Sequence, residues 1–177
     1  MDLTGELFFT SDTHFYHTNI IQYCSRPFSS AVEMNQEFIS QWNSVVKPND
    51  TVFHLGDVAL GCSEDRFDEL FAQLNGTKIL VVGNHDGGVV KRSSHWKEVA
   101  KNMVLSIGGY SIQLNHRPTF ENFKDWDMFL YGHVHGRMEP TGTTLDVGVD
   151  SAKEHLGAFR PMSLSEVVTI MEKYERR

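Results

Sequence analysis

Cysteine is scarce: Cys24 and Cys62 are the only two in 177 residues. They have neither the close spacing of a thiolate metal site nor the density of a disulfide scaffold, so both read as reduced thiols and a cytoplasmic setting is expected. Basic charge is short as well. Lys and Arg total 16 against 23 Asp and Glu, a net charge of −7, which offers no broad footprint to nucleic-acid phosphates or anionic lipid. No apolar stretch is long enough to span a membrane, and the opening "MDLTGELFFTSD" has an early acid in place of the basic region of a secretory signal. Repeats, low-complexity tracts and linkers are also missing, so one domain over residues 1–177 is expected.

What is present is an alternation of short apolar runs with helical periodicity. "ELFFTSD" predicts a strand over about 6–10, "TVFHLGD" a strand over 51–55, and "KILVVGNHD" a strand near 78–82. Between them, Phe38, Ile39, Trp42, Val45 and Val46 fall at helical spacing in residues 31–46, a helix that must stop before Pro48. "SEDRFDELFAQL" predicts another, capped by Ser63 with acids in its first turn. Further on, "NMVLSIGGYSIQLNH" reads as two strands joined by Gly108-Gly109. A loop with Trp126 follows, then strands at 128–132 and about 143–149, and a final helix opened by the capping box "SLSE" at 163–166 with a basic end. The pattern is α/β: two mixed sheets packed face to face and flanked by helices.

Five of these runs end alike, in Asp, Asn or His: "SDTH" (Asp12, His14), "LGD" (Asp57), "GNHD" (Asn84, His85, Asp86), "LNH" (His116) and "GHVH" (His133, His135). Open α/β sheets bind ligands beyond the carboxyl ends of their strands, so the five ends could meet. On an extended chain His133 and His135, two apart, would project together. Converging ends would supply seven ligands: four histidines, two aspartates and an asparagine. An aspartate bridging through its two oxygens would then make two sets of four. Nitrogen and oxygen donors without thiolate favour Mn, Fe, Co, Ni or Zn over a site for Mg or Ca alone. Gly56, Gly83 and Gly132 each precede such a residue and permit a tight turn or close approach there. Any one block alone is an ordinary turn or cap. His95 and His155 lack this context and read as structural, while His17 and His54 stand near the blocks without a ligand role.

In this order the blocks resemble the calcineurin-like metallophosphoesterase superfamily, whose pattern is Asp-x-His, Gly-Asp, Gly-Asn-His-Asp/Glu, His and Gly-His-x-His. The likeness runs from about residue 7 to 150, and "SDTHFYHTNIIQYCSRPF" resembles a small single-domain branch. The resemblance implies a four-layer αββα sandwich with a two-metal site at one edge. It puts Asp12, His14 and His135 on the first metal, Asn84, His116 and His133 on the second, and Asp57 between them. His85 becomes the catalytic histidine, with Asp86 as its supporting partner. Many members carry an acid three residues after the Gly-Asp aspartate to orient that histidine. Leu60 stands there, so Asp86 or another group has to do it.

The resemblance further implies phosphoester hydrolysis, with diesters preferred by analogy with small members. Two ions about 3.5–4 Å apart activate a hydroxide for in-line attack on phosphorus, and His85 protonates the leaving group. Manganese is the first candidate, with Fe, Zn, Ni or Co behind it. Arg26 and Arg117, each beside a proline, are candidates to steady a non-bridging oxygen, with a solvated loop as the equal alternative. The expected partner is a small phosphoester or nucleotide-type substrate, with no long nucleic acid and no membrane; oligomeric state is left open. The alternatives are a phosphomonoesterase or nucleotidase, a nuclease for short oligonucleotides, and a non-catalytic scaffold of the same fold. Filled ligand positions argue against the last.

Overall fold

A computed structural model describes residues 3, 5–119 and 126–175. Four parallel strands, β1 (Leu7–Thr10), β2 (Thr51–His54), β3 (Thr77–Val81) and β4 (Trp96–Ala100), form one sheet. The short β9 (Met162–Ser163) joins it antiparallel to β1, in the order β4-β3-β2-β1-β9. The second sheet, ordered β5-β6-β7-β8, begins with the antiparallel hairpin of β5 (Asn102–Ile107) and β6 (Tyr110–Asn115). β7 (Met128–Tyr131) and β8 (Thr144–Asp146) continue it in parallel. Gly108 and Gly109 both take positive φ at the hairpin turn, which is why two glycines stand there.

β1, β2 and most of β3 are buried on both faces, as the continuous apolar runs of a covered parallel sheet require. One face sends Phe9, Phe53 and Ile79 against Ile112, Leu114, Leu130 and Leu145 of the second sheet, with the Phe9 and Phe53 rings stacked at 5.4 Å. The other sends Phe8, Val52 and Leu80 under helices α2 (Ala31–Val45) and α3 (Glu64–Phe71), against Phe38, Trp42, Phe67 and Phe71. Each side chain buried this fully contributes roughly 1.5–3 kcal/mol, so the two cores hold the strand ends rigidly. Ser30 and Ser63 cap α2 and α3 by accepting from the amides of Glu33 and Arg66.

Helix α5 (Val149–Leu156) puts Val149 in the core under α2 and α3 and Ala152 in the core between the sheets, and helix α6 (Leu164–Met171) packs on β1, β8 and β9, spanning the two sheets where they adjoin. Ser163 and Glu166 form the expected capping box; Arg176 and Arg177 of the basic end lie outside the described residues. The molecule is thus α/β, two mixed sheets with flanking helices.

The expected strand at 143–149 is shorter, because Gly148 caps α5 and turns the chain out of the sheet. Helices α1 (Thr18–Tyr23) and α4 (Gly88–Arg92) are too short to show a period, and the exposed Lys97, Glu98 and Val99 mask β4 as an edge strand. Both cysteines are free, and no described helix is long and apolar enough to cross a membrane.

Candidate metal centre

Beyond the C-terminal ends of β1, β2, β3, β6 and β7 the five blocks come together. The approach is too close for side chains at the glycines. A Cβ on Gly132 would lie 2.0 Å from Ser11 Oγ and 2.4 Å from Asp12 Oδ2, so the β7 end can meet the β1 end only at glycine. Gly56, at φ +95°, crosses equally close to Gly83 and His116.

The backbone is strained at the same place. Asp12, His14, Asp57, His133 and His135 all sit in the left-handed region, with φ between 49° and 72°. Such a conformation costs a non-glycine residue about 1–3 kcal/mol and persists where the surroundings hold it for a purpose. It also corrects the expectation that His133 and His135 project together from an extended chain. The strand ends at Tyr131, and the two rings part.

Of three donor groups among the described residues, two are built from the blocks; the third, Cys24 with His135 and Asp150, shares His135 with the first. The ligand atoms of Asp12, His14 and His135 lie within 4.8 Å of one another, and so do those of Asp57, His116 and His133. Asn84 joins the second through Oδ1, 3.0 Å from His116 Nε2. Asp57 Oδ2 lies between the groups, 3.7 Å from His14 Nε2 and 3.4 Å from His116 Nε2. Its Oδ1 accepts from the His85 amide at 2.8 Å, so a single oxygen faces both groups rather than one oxygen each.

Hydrogen bonds at the far side of the His116 and His135 rings set which nitrogen is offered. His116 Nδ1 donates to Leu55 O at 2.7 Å, leaving Nε2 toward the oxygens of Asn84 and Asp57. A proton on Nε2 satisfies these oxygens without an ion, and a metal ion would take its place among the same three atoms. His135 Nδ1 pairs with Asp150 Oδ2 at 2.8 Å, leaving Nε2 toward Asp12 Oδ1. Asp12 Oδ1 and both His14 nitrogens are shut off from water without a hydrogen-bond partner. Buried polar atoms are seldom left so, and these residues fit a metal pair. Burial pushes His14 down to about 2 against the pull of Asp57, keeping it in the neutral form that ligates. Burial alone would raise Asp57, but the hydrogen bond and charge of His116 hold it below the usual carboxylate range.

The remaining candidates divide. His85 is exposed at the rim, its ring 5.9 Å from that of His14. Asp86 does not orient it. Its buried carboxylate accepts from the amides of Gly83, Asp57 and Val58 at 2.7–3.0 Å, which ties the β2 and β3 ends together. Asp86 is therefore a positioning residue and its expected catalytic place is withdrawn. Arg26 is corrected too: its side chain is fully buried, and its five N–H groups go to Asp150 at 2.8–2.9 Å, to the carbonyls of Thr13 and Asp12 and to Met34 Sδ, leaving none for a substrate oxygen. Arg117 is exposed and close enough to depress His133 behind the effects of burial and His116. His54 is structural: Nδ1 accepts from the Gly56 amide, so Nε2 donates to Thr13 Oγ1, which in turn donates to Val58 O.

Sequence reasoning missed Asp146 and Asp150. Asp146, buried beside Asp12, accepts from the amides of Gly136 and Gly148 at 2.7 Å, and burial together with Asp12 raises it to about 7. Asp150 joins Arg26 to His135. The signal was available in "LDVGVD", a strand ending in Asp with a glycine nearby, the same grammar as the five blocks.

Comparison with known proteins agrees with this geometry. The family described as calcineurin-like phosphoesterase matches residues 6–137. An uncharacterized protein, MJ1445, of Methanocaldococcus jannaschii is 34% identical over 179 residues, covering 95% of this chain and 92% of that protein. The gene 66 protein of Mycobacterium phage L5 is 35% identical over 135 residues, 74% of this chain and 58% of that one. Among solved structures, protein AQ665 of unknown function from Aquifex aeolicus superposes with a TM-score of 0.74 at 25% identity, over 93% of this chain and 98% of that chain. A family match over well over half of the chain, on strand ends folded into two ligand groups, makes this chain a member of the calcineurin-like phosphoesterase family.

Proposed function

We propose that this protein is a metal-dependent phosphoester hydrolase that uses two divalent transition ions, with diesters preferred over monoesters. The observation that carries the reading is the place of Asp57 Oδ2 between the two donor groups, 3.7 Å from His14 Nε2 and 3.4 Å from His116 Nε2. Asp12, His14 and His135 would hold one ion, Asn84, His116 and His133 the other, with Asp57 shared. Bound there, such ions supply a water activated near neutral pH and offset charge on the phosphoryl oxygens.

The chain's own groups do the rest. Leu55 O and Asp150 fix His116 and His135 so that Nε2 faces inward. As the bond from phosphorus to the leaving oxygen breaks, His85 at the rim passes a proton to that oxygen, a contribution of about 10²–10⁴-fold. Arg117, exposed beside His133, would meet a non-bridging oxygen. Manganese is the first candidate, and two free thiols suit a reducing, cytoplasmic setting. The diester preference rests on analogy with small members of the family.

Metal analysis of the purified protein, paired with hydrolysis of aryl and bis-aryl phosphates, tests the reading. Two ions per chain and faster cleavage of the diester are expected; failure on both substrates across several metals overturns it. Asp57→Asn should lose both paired occupancy and activity, and a variant that keeps two ions at the parental rate refutes the shared carboxylate.

A further inference from the structure

A cleft of about 470 Å³ opens beside the first donor group, between His14, His85 and His135 on one side and Ile20, Tyr23 and Arg137 on the other. A bare phosphoryl group needs only cations and donors, so the wall contributed by α1 calls for a different account. It is aromatic and apolar. Tyr23 is 62% exposed, and the other exposed large apolar side chains among the described residues are valines, none of which lines this cleft. The Tyr23 ring meets that of His17 edge-on at 6.2 Å, and His17 leans on His14 at 5.4 Å, so a row of rings leads from the wall to the donor group. His17 Nδ1 is shut off from water and has no hydrogen-bond partner.

The wall is fastened to the site as well as near it. Arg137, just beyond the His133–His135 loop, donates to the Tyr23 carbonyl at 3.1 Å, and the Cys24 and Arg26 amides close the end of α1 onto Ile20 and Ile21. The backbone under Tyr23 is thus set from both sides while its ring stays open to the cleft. Ring faces beside a guanidinium match a flat π-system carried next to an anion.

Resting on the phosphoester reading above, we infer that the cleft takes the leaving group of the substrate and that this group carries a planar aromatic ring, with Tyr23 as its platform. Its border with His85 assigns the leaving side, since that is the group His85 protonates. A nucleoside and a simple aryl group share this chemistry.

Phosphonates separate binding from turnover, because their phosphorus–carbon bond resists hydrolysis. Methylphosphonate, phenylphosphonate and an adenosine 5′-phosphonate are titrated by calorimetry into the metal-loaded protein, into Tyr23→Ala and into Tyr23→Phe. The ring-bearing ligands should bind the parent about 10-fold or more tighter than methylphosphonate, as ring stacking typically gives. Tyr23→Ala should collapse that ratio and Tyr23→Phe should preserve it. A further gain for the adenosine ligand over phenyl assigns a nucleotide; equal gains assign a simple aryl ester. Equal binding of all three by the parent, or a ratio that survives Tyr23→Ala, overturns the ring site and leaves the phosphoester reading standing. If no phosphonate binds, the phosphoester reading fails and the ring site falls with it.

Discussion

Asp150 holds two elements at once, so replacing it separates stability from metal binding. Its carboxylate takes two hydrogen bonds from Arg26, at 2.8 and 2.9 Å, and one from His135 Nδ1 at 2.8 Å. Removing one partner of a buried ion pair costs about 3–5 kcal/mol. Arg26 keeps the carbonyls of Thr13 and Asp12, so Asp150→Ala should fall near the lower end, about 3 kcal/mol by urea unfolding of the metal-free protein. Asp150→Asn keeps the shape and one acceptor, and should unfold with a smaller loss. Metal affinity should fall in Asp150→Ala, because nothing then fixes the His135 ring, and less in Asp150→Asn, whose amide oxygen can still accept from Nδ1; loss of such an outer partner costs about 10–100-fold. The double variant Arg26→Met, Asp150→Leu removes the buried charges together. It should recover most of the lost stability and none of the lost affinity. Calorimetric titration of Mn²⁺ reads the second quantity, and parental affinity in Asp150→Ala and in the double variant would refute the positioning role.

Three other outcomes are expected. His85→Ala should retain both ions yet slow turnover about 10²–10⁴-fold, most for alkyl leaving groups; equal losses for nitrophenyl and alkyl esters would remove the proton-donor role. Gly132→Ala forces a methyl group onto Ser11 and Asp12, and overpacking of this kind costs about 1–3 kcal/mol with Asp12 displaced. Unchanged melting and metal occupancy would contradict the close-approach account. Burial lowers the Lys78 ammonium to about 8 from an ordinary 10.5. The folded chain therefore releases this proton first, and between those values the unfolded chain holds more protons. The Lys78 contribution to stability should rise with pH across that window, by at most about 3 kcal/mol, because the carbonyls of Leu74 and Gly76 favour the charged form. Parent minus Lys78→Met unfolding free energies from pH 8 to 10 check the sign; a flat or falling difference would show that burial is not what lowers it.

Much of this was legible in the residues. Strand and helix positions followed from period, caps and glycine, since these are local preferences that the cores then reinforce. β4 and α1 escaped because an edge strand with charged positions and a helix of one and a half turns leave no usable period. Asp86 shows a different kind of failure. Its residue type and position suggested catalysis, and only the three amides around its carboxylate reveal that it fastens two strand ends. Arg26 failed for the same reason, since a guanidinium beside a motif can face outward or inward, and the sequence does not say which.

The sequence by itself determined the candidate donors and the strand ends that bear them, because those rest on residue type and on short continuous apolar runs. Tertiary structure decided the rest. It separated His133 from His135 by left-handed backbone, set Asp57 Oδ2 between two groups, and brought Asp150 from beyond β8 to His135. These are relations between elements far apart in the chain, fixed by how two sheets pack, and no local preference encodes them.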